Sequence, residues 1–149
     1  MPCLQQGKQV MNLCKFSYAL LASAIFLGWA ANTVRAEDAP KGNQGYTTPK
    51  TVVIDLGSEI EAMKGWQLRL RELKIEAGGH IGIHSHKDRP AVVLFTQGTD
   101  TVTNADGSAK TFNAGDTTAE GVKTVHWHKN VGSDNVIIFT ADLIKAPAK

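Results

Sequence analysis

The chain has 149 residues, of which 42% are hydrophobic and 20% charged, and its formal net charge is +2. This length suits one domain with a hydrophobic core and is short for two. No run of basic residues interleaved with aromatic residues occurs, which argues against nucleic acid as a partner.

The first 36 residues have the pattern of a secretory signal peptide. A basic start precedes the apolar run FSYALLASAIFLGWAA, and small residues at Val34 and Ala36 follow it. We therefore expect cleavage after Ala36 and a periplasmic or secreted protein that has no membrane contact after cleavage. An uncleaved anchor is the alternative, and Met11 is a second candidate for the true start.

Cleavage would change both the charge and the cysteine content. Three of the sixteen basic residues would leave with the signal, so thirteen basic residues would face fourteen acidic ones. Both cysteines, Cys3 and Cys14, lie in the same segment. The exported domain would then carry no thiol, which suits an oxidising compartment.

The elements of the mature chain begin with a segment that lacks periodicity. Residues 37–50, EDAPKGNQGYTTPK, are rich in Gly, Pro and polar residues, which predicts a flexible leader. The folded domain is expected over residues 51–149.

Short segments rich in Val, Ile, Leu, Phe and Thr follow, separated by Gly, Asp and Asn. In chain order they are TVVIDL, WQLRLRELKIEA, HIGIHSH, AVVLFTQ, DTVTNADGSAKTF, TVHWH and NVIIFTADLI. Their lengths and the turn residues between them predict an all-β sandwich or barrel. Residues 58–66, SEIEAMKGW, have room for a helical turn or two. Asp106 and Gly107 predict the tip of a hairpin.

The apolar pattern of WQLRLRELKIEA changes parity along the segment. Leu68 and Leu70 share one parity, whereas Leu73 and Ile75 share the other. This predicts a β-bulge near residues 71–72. A strand that is buried on both faces at one end is the alternative.

The histidines occur only in HIGIHSH (80–86) and TVHWH (124–128), always at alternate positions. Residues two apart on a strand point to the same face, so His80, His84 and His86 should share one face, as should His126 and His128. A buried imidazole needs a partner, and a first-row metal ion satisfies several at once. Solvated faces, or a single hydrogen-bonded core histidine, are the ordinary alternatives.

These stretches resemble the two sequence motifs of the cupin superfamily. The residues at matching positions are Gly78, His84, His86 and Gly98 in the first motif, and Gly107, Gly115, His126 and Asn130 in the second. Two positions depart from the pattern: Ala91 stands where the family has a glutamate ligand, and Asn113 where it has a proline. Ala91 should begin a strand and face the interior.

The resemblance implies an all-β fold, a single cupin-type β-barrel or double-stranded jelly roll. It also implies a divalent transition metal, Fe, Mn, Zn or Ni, on His84, His86 and His126. His128 is expected as a fourth ligand or as a donor that orients one. Cupins such as the thiol dioxygenases and the diketone-cleaving dioxygenases use three histidines and no glutamate on ferrous iron, so the missing carboxylate leaves a metal site possible.

The sequence leaves several functions open. The first is an exported metal-binding cupin that acts on a small-molecule ligand or substrate in a dioxygenase-like reaction, and the alternative is a module that binds metal or ligand without turnover. A metal-free isomerase with a histidine base and a tyrosine acid is less favoured, because Tyr46 falls in the leader and Tyr18 in the signal. A homodimer is also possible. Three arginines are candidates for bidentate binding of a substrate carboxylate, with ordinary surface arginines as the alternative: Arg69, Arg71 and Arg89.

Overall fold

The computed structural model describes residues 37–147, so the expected signal peptide and its cleavage site lie outside the described residues. Eight strands and two short helical turns make up this part of the chain. They are β1 (Gln44–Asp55), α1 (Leu56–Glu59), a 3-10 turn (Glu61–Met63), β2 (Trp66–Ser85), β3 (Ala91–Gln97), β4 (Thr99–Asn104), β5 (Ala109–Asn113), β6 (Thr117–Glu120), β7 (Val125–Asn130) and β8 (Val136–Lys145). The all-β prediction is confirmed.

The strands form one antiparallel sheet in the order β5-β4-β7-β2-β8-β3-β6, and β1 pairs with β2 outside this path. The sheet curls into a nearly closed barrel of the predicted jelly-roll type. The hairpin predicted at Asp106 and Gly107 joins β4 to β5. Among residues 37–147, no helix has the length and the apolar character needed to cross a bilayer.

Strand β2 connects the two halves of the barrel. Its first part, Trp66–Ile75, pairs with β1 and β8, while residues 80–85 pair with β7. Between these parts Gly78 has a φ of 73°, a backbone conformation that residues with a Cβ rarely adopt. The bend at this glycine brings the histidine end of β2 against β7.

The predicted bulge near residues 71–72 is wrong. Pairing between β2 and β8 is uninterrupted from Trp66 to Ile75, and the extra residue lies in β1, between Thr47 and Lys50. Leu68 and Leu70 point outward and are 40% and 45% exposed. The parity changes because arginines, and not apolar residues, occupy the inward positions at this end of the strand.

The prediction of a flexible leader over residues 37–50 is also wrong, because half of this segment belongs to a strand. Gln44–Lys50 form the first half of β1, where pairing with β2 supplies the hydrogen bonds and Tyr46 packs against the core. Pro49 is compatible with this position because β1 is an edge strand. Nearer the start, Glu37 forms an ion pair with Lys129.

The hydrophobic core occupies one end of the barrel interior. Its buried members are Leu73, Ile75, Ile81, Val93, Phe95, Val102, Phe112, Val136 and Ile138. The rings of Phe95 and Phe112 stack with centroids 4.6 Å apart, which joins β3 to β5. The remaining interior is polar, with buried histidines and carboxylates that the next subsection describes.

Asn130 fastens the end of β7 to its surroundings, and this generates a stability prediction. Its buried amide donates to the carbonyls of Ile75 (3.0 Å) and Asp134 (2.7 Å) and accepts from the N–H of Gly132 (3.0 Å). Asn130→Ala should lower the free energy of unfolding by about 1–3 kcal/mol, because buried carbonyls lose their donor. Urea unfolding measures this, with the exposed Asn104→Ala as the control. Equal losses in the two variants would contradict the assigned role.

Candidate metal centre

Three histidine side chains meet inside the barrel. The Nε2 atom of His126, on β7, lies 3.1 Å from Nε2 of His84 and 3.2 Å from Nε2 of His86. His84 and His126 are direct cross-strand partners, and His86 follows the end of β2. The bend of β2 and its pairing with β7 therefore bring the three imidazoles together.

His80 does not belong to this group, and the prediction that it shares their face is wrong. The pairing of β2 with β7 shifts by one residue between Ile81 and His84. Beyond this bulge the side chains exchange faces, so Ile81 is buried, Ile83 is exposed, and His80 lies on the outer face. The sequence does not reveal where the extra residue lies, so strict alternation placed His80 on the wrong face.

A carboxylate that the sequence reasoning missed completes the cluster. Glu120, at the end of β6, is 6% exposed, and its oxygens lie 3.1 Å from Nε2 of His86 and 3.6 Å from Nε2 of His126. Its direct partner on β3 is Ala91, which is buried at the start of that strand as expected. The carboxylate therefore comes from the strand beside the one where the sequence pattern expects it.

Acceptors on the far side of the rings fix two of the imidazoles. Nδ1 of His84 lies 2.9 Å from the carbonyl of Gly82, and Nδ1 of His86 lies 3.0 Å from the carbonyl of Arg89. A carbonyl only accepts, so Nδ1 carries the hydrogen in both rings and each neutral ring has a lone pair on Nε2. His126 can donate one hydrogen to only one of these two lone pairs. A bound cation would satisfy both lone pairs together.

The distances fit a first-row metal ion. Two donors that each lie about 2.1 Å from one ion are about 3.0 Å apart at right angles and about 3.4 Å apart in a tetrahedron. The separations from Nε2 of His126 to its three neighbours, and the one between His86 and Glu120, run from 3.1 to 3.6 Å. Two groups of donors could each hold a metal ion: His86, Glu120 and His126, and His84, His126 and His128. His126 belongs to both groups, and we call it together with His84, His86 and Glu120 the cluster.

His128 lies beside this cluster with a different partner. Its Nδ1 is 2.6 Å from Oδ2 of the buried Asp100, and its ring stacks on that of His84 with centroids 5.8 Å apart. It also forms a possible ligand group with His84 and His126. Its role as a metal ligand stays a prediction, and the Asp100 contact orients its ring in either case.

Burial sets the protonation of the cluster. It lowers the pKa of His84 to about 4 and that of His126 to about 2, and it also lowers the pKa of His86. It raises the pKa of Glu120, although nearby cations act in the opposite direction. The close His86–Glu120 contact is therefore not an imidazolium–carboxylate pair at neutral pH. A bound divalent ion would satisfy the imidazole nitrogen and the carboxylate oxygen of this contact together.

A cavity of about 230 Å³ adjoins the cluster. His84, His86 and Glu120 form part of its wall, and Arg71 and Arg89 form another part. The cavity is smaller than most sites for drug-sized ligands, which run from about 300 to 1,000 Å³. A ligand that reaches the histidines from this side must therefore be small.

The segment before β1 closes against this cavity. The carbonyl of Pro40 accepts from the N–H of Ile83 at 2.8 Å, and Asn43 Oδ1 accepts from the N–H of Gly82 at 2.9 Å. A Cβ on Gly82 would lie 2.6 Å from the carbonyl oxygen of Gly42, so glycine is required for this approach. Residues 40–43 therefore form an ordered strap over β2.

Tyr46 also lines the cavity. The sequence reasoning set the isomerase hypothesis aside partly because this tyrosine was expected in a flexible leader, and that argument no longer holds. The metal hypothesis is still preferred, because His84, His86 and Glu120 all place a possible ligand atom within 3.6 Å of Nε2 of His126.

The three candidate arginines surround one buried carboxylate, that of Asp142. Arg69 donates to it through Nε (3.0 Å) and Nη2 (2.8 Å), and Arg71 donates through Nη2 (2.9 Å). Nη1 of Arg89 lies 3.7 Å away. Burial alone would raise the pKa of Asp142, but the Arg69 hydrogen bond and the three positive charges outweigh it and hold the pKa below its usual value.

The comparison with family models agrees with this architecture. The Cupin domain model matches residues 71–142, which include all four cluster residues. The chain belongs to the cupin superfamily. No curated protein matches the sequence of this cupin.

Several solved structures resemble this cupin at low identity. The cupin domain of Cnp3 from Schizosaccharomyces pombe is 16% identical, with a TM-score of 0.48, over 52% of this chain and 53% of that one. The chain thus spans about half the length of that structure. A predicted oxalate decarboxylase from Thermotoga maritima is 16% identical, with a TM-score of 0.48, over 74% and 96%. KdgF from a Halomonas species is 20% identical, with a TM-score of 0.44, over 52% and 80%.

The position of Glu120 opposite Ala91 generates a test by exchange. Glu120→Ala should weaken Mn²⁺ binding by at least about tenfold, because the only carboxylate donor of the cluster is lost. Adding Ala91→Glu to that variant should restore most of the affinity, since the two residues are direct partners and both face inward. Competition with a fluorescent chelator measures affinity, and the exposed Thr117→Ala on β6 is the control. A double variant that binds as weakly as Glu120→Ala would refute the proposed equivalence of the two positions.

The lowered histidine pKa values predict how the stability of the metal-free protein depends on pH. Between the unfolded value of about 6.5 and the folded values, the unfolded chain binds more protons, so stability is fully present above about pH 6.5 and falls as the pH is lowered. The loss continues to about pH 4 for His84 and about pH 2 for His126. Each excluded proton contributes a slope of about 1.4 kcal/mol per pH unit.

Urea unfolding with chelator present, from pH 7 to 4, measures this slope. The raised pKa of Glu120 acts in the opposite direction, so the informative comparison is between wild type and His126→Asn. The slope of unfolding free energy against pH should be smaller in the variant by about 1.4 kcal/mol per pH unit, which is the contribution of one excluded proton. Parallel profiles would mean that His126 is not held neutral by burial.

Proposed function

We propose that this chain is an exported cupin that binds one divalent transition metal through His84, His86, His126 and Glu120 and acts on a small molecule in the adjoining cavity. The observation that carries the proposal is that Nε2 of His84, Nε2 of His86 and an oxygen of Glu120 all lie between 3.1 and 3.6 Å from Nε2 of His126. Fixed Nδ1 hydrogens on His84 and His86 add to it, because they leave the Nε2 lone pair of each neutral ring available to a metal ion.

The residues around the cluster have distinct parts in this proposal. A bound ion would supply Lewis-acid or redox chemistry. The carbonyls of Gly82 and Arg89 hold the rings of His84 and His86 in place. Apolar side chains on the cavity wall, among them Ile81, limit the access of water. The ligand would enter between this wall and the strap, where His84, His86 and Glu120 border the cavity.

The metal and the reaction class are the finer parts of the proposal. Imidazole suits Fe, Zn and Ni, and a carboxylate oxygen suits Mn, so the mixed donor set accommodates the four expected ions. The dioxygenase-like expectation rested on a site without a carboxylate, and Glu120 removes that argument. Oxygen-dependent turnover is retained as our proposal because an imidazole-rich set also suits ferrous iron. Binding without turnover is the alternative, and oxygen uptake with small thiols, diketones and phenolics separates the two.

Export is proposed from the sequence. The pattern of basic start, apolar run and small residues before Glu37 supports it, as does the absence of cysteine after residue 36. A periplasmic or secreted cupin would collect its metal outside the cytoplasm. The composition of that compartment would then decide which ion the site holds.

Metal analysis of the protein purified from its own compartment tests the proposed site. Wild type should carry close to one metal ion per chain, and His84→Ala or His126→Ala should carry almost none, because each removes a donor of the proposed site. His80→Ala is the matched control, since it removes an imidazole from the outer face of the same strand. His128→Ala should weaken metal affinity by about 10- to 100-fold if this residue only orients its neighbours.

Two results would contradict the proposal. One is equal metal content in wild type and His84→Ala, and the other is a loss of metal in His80→Ala as large as that in His126→Ala. Abolished binding in His128→Ala, with intact folding, would instead make that residue a ligand.

A further inference from the structure

The polar end of the barrel carries more positive charge than its own carboxylates balance. Asp142 is surrounded by the guanidinium groups of Arg69, Arg71 and Arg89, so this group of four has a net charge of +2. Lys41, on the strap, lines the same cavity as Arg71 and Arg89. Among the residues that line this cavity, Glu120 is the only carboxylate, and it belongs to the metal centre.

The three arginines divide into two kinds. Arg69 directs both Nε and Nη2 at Asp142 and does not line the cavity. Arg71 uses only Nη2 for that carboxylate, and Arg89 is still farther from it. Both of these side chains line the cavity. Arg69 therefore neutralises Asp142, while Arg71 and Arg89 have donors to spare for another group.

One of these donors has no partner although it is buried. Nε of Arg71 is shielded from solvent and makes no hydrogen bond in the described structure. A buried donor without an acceptor costs free energy, and a guanidinium costs more than a neutral group. An acceptor supplied from the cavity would remove this cost.

We infer that the cavity binds a small molecule carrying a carboxylate, which Arg71 and Arg89 hold beside the metal centre. The inference rests on the proposed function, because the bound molecule would be the one on which the metal acts. A carboxylate matches the planar fork of a guanidinium, and its negative charge offsets the excess of cations. Ile81, Val93 and Ile138 line the same cavity and suit an apolar remainder of the ligand.

A phosphate is the competing anion, and the cavity lacks a feature that phosphate sites commonly have. Helix N-termini often supply backbone N–H groups to phosphate. Neither α1 nor the 3-10 turn contributes a residue to this cavity. The side chains of two arginines and one lysine, set among apolar walls, fit a monocarboxylate better.

Arg89 also links this anion site to the metal centre. Its guanidinium lines the cavity, while its backbone carbonyl accepts from Nδ1 of His86 at 3.0 Å. Its backbone N–H donates to the carbonyl of His86 at 3.1 Å, which closes the turn between β2 and β3. A carboxylate held by Arg89 therefore lies next to a loop that positions a metal-centre histidine.

Calorimetric titration of the purified protein with propionate tests the inference, with propionamide and inorganic phosphate as comparison ligands. Propionate should bind at least about tenfold more tightly than either. Arg71→Gln and Arg89→Gln should each weaken it by about 10- to 100-fold, as expected for the loss of a charged hydrogen bond. Arg69→Gln is the matched control: it loses two hydrogen bonds to Asp142 and should lower the melting temperature, yet leave propionate affinity unchanged.

Several outcomes would overturn the inference: no propionate binding to wild type, equal affinity in wild type and Arg89→Gln, or tighter binding of phosphate than of propionate. Arg89→Gln keeps the test valid should Arg71→Gln fail to fold, because Arg89 makes only a long contact with Asp142. Titration of the chelator-treated protein separates this inference from the metal proposal. Arginine-dependent binding by a wild type that takes up no metal from a metal-supplemented solution would refute only the metal proposal, and a metal-loaded wild type without such binding would refute only the carboxylate site.

Discussion

The Nε2 atoms of His84 and His86 lie 3.1 and 3.2 Å from Nε2 of the buried His126 inside the barrel, and the surrounding structure maintains that arrangement. The carbonyls of Gly82 and Arg89 take the Nδ1 hydrogens of His84 and His86, so neither ring can turn its hydrogen inward without losing a bond. Burial keeps the rings neutral at physiological pH. Neutral imidazole lone pairs held this close to one another are unfavourable unless a cation or a shared proton lies between them. A bound metal ion would remove this cost.

The fold and part of the site could be predicted from the sequence because they depend on local signals. Short segments rich in Val, Leu and Phe between turn residues identified strands such as β3 with its bounds, and the Asp106–Gly107 pair located a hairpin. The spacing of His84 and His86 indicated a shared face. Each of these inferences uses residues that are near each other in the chain, where side-chain direction follows from the backbone period.

Features that depend on pairing between distant segments could not be predicted in this way. Glu120 joins the cluster because β6 pairs with β3 in a register that sets it opposite Ala91, and nothing in the sequence around it specifies that register. His80 left the cluster because one extra residue in β2 reverses the alternation. The family pattern has its glutamate at the position of Ala91, so the sequence predicted a missing carboxylate and gave no sign of the one that Glu120 supplies from the neighbouring strand.

The inward arginines show a further conflict between local pattern and function. Arg69 and Arg71 occupy positions where a barrel strand ordinarily has apolar residues, and Leu68 and Leu70 are displaced to the surface. Local rules fail where a protein keeps polar groups inside for a purpose. Here Asp142 offsets part of the cost of burying the arginine charges. The inward side chain of Arg71 borders the same cavity as the histidines.

The most direct measurement of the central claim is anomalous diffraction from a crystal of the metal-loaded protein, collected at the absorption edge of the bound ion. The account predicts one strong peak inside the barrel, about 2.0 to 2.2 Å from Nε2 of His84, His86 and His126 and from a carboxylate oxygen of Glu120. A peak held instead by His128 and Asp100, or an empty cluster at saturating metal, would contradict it.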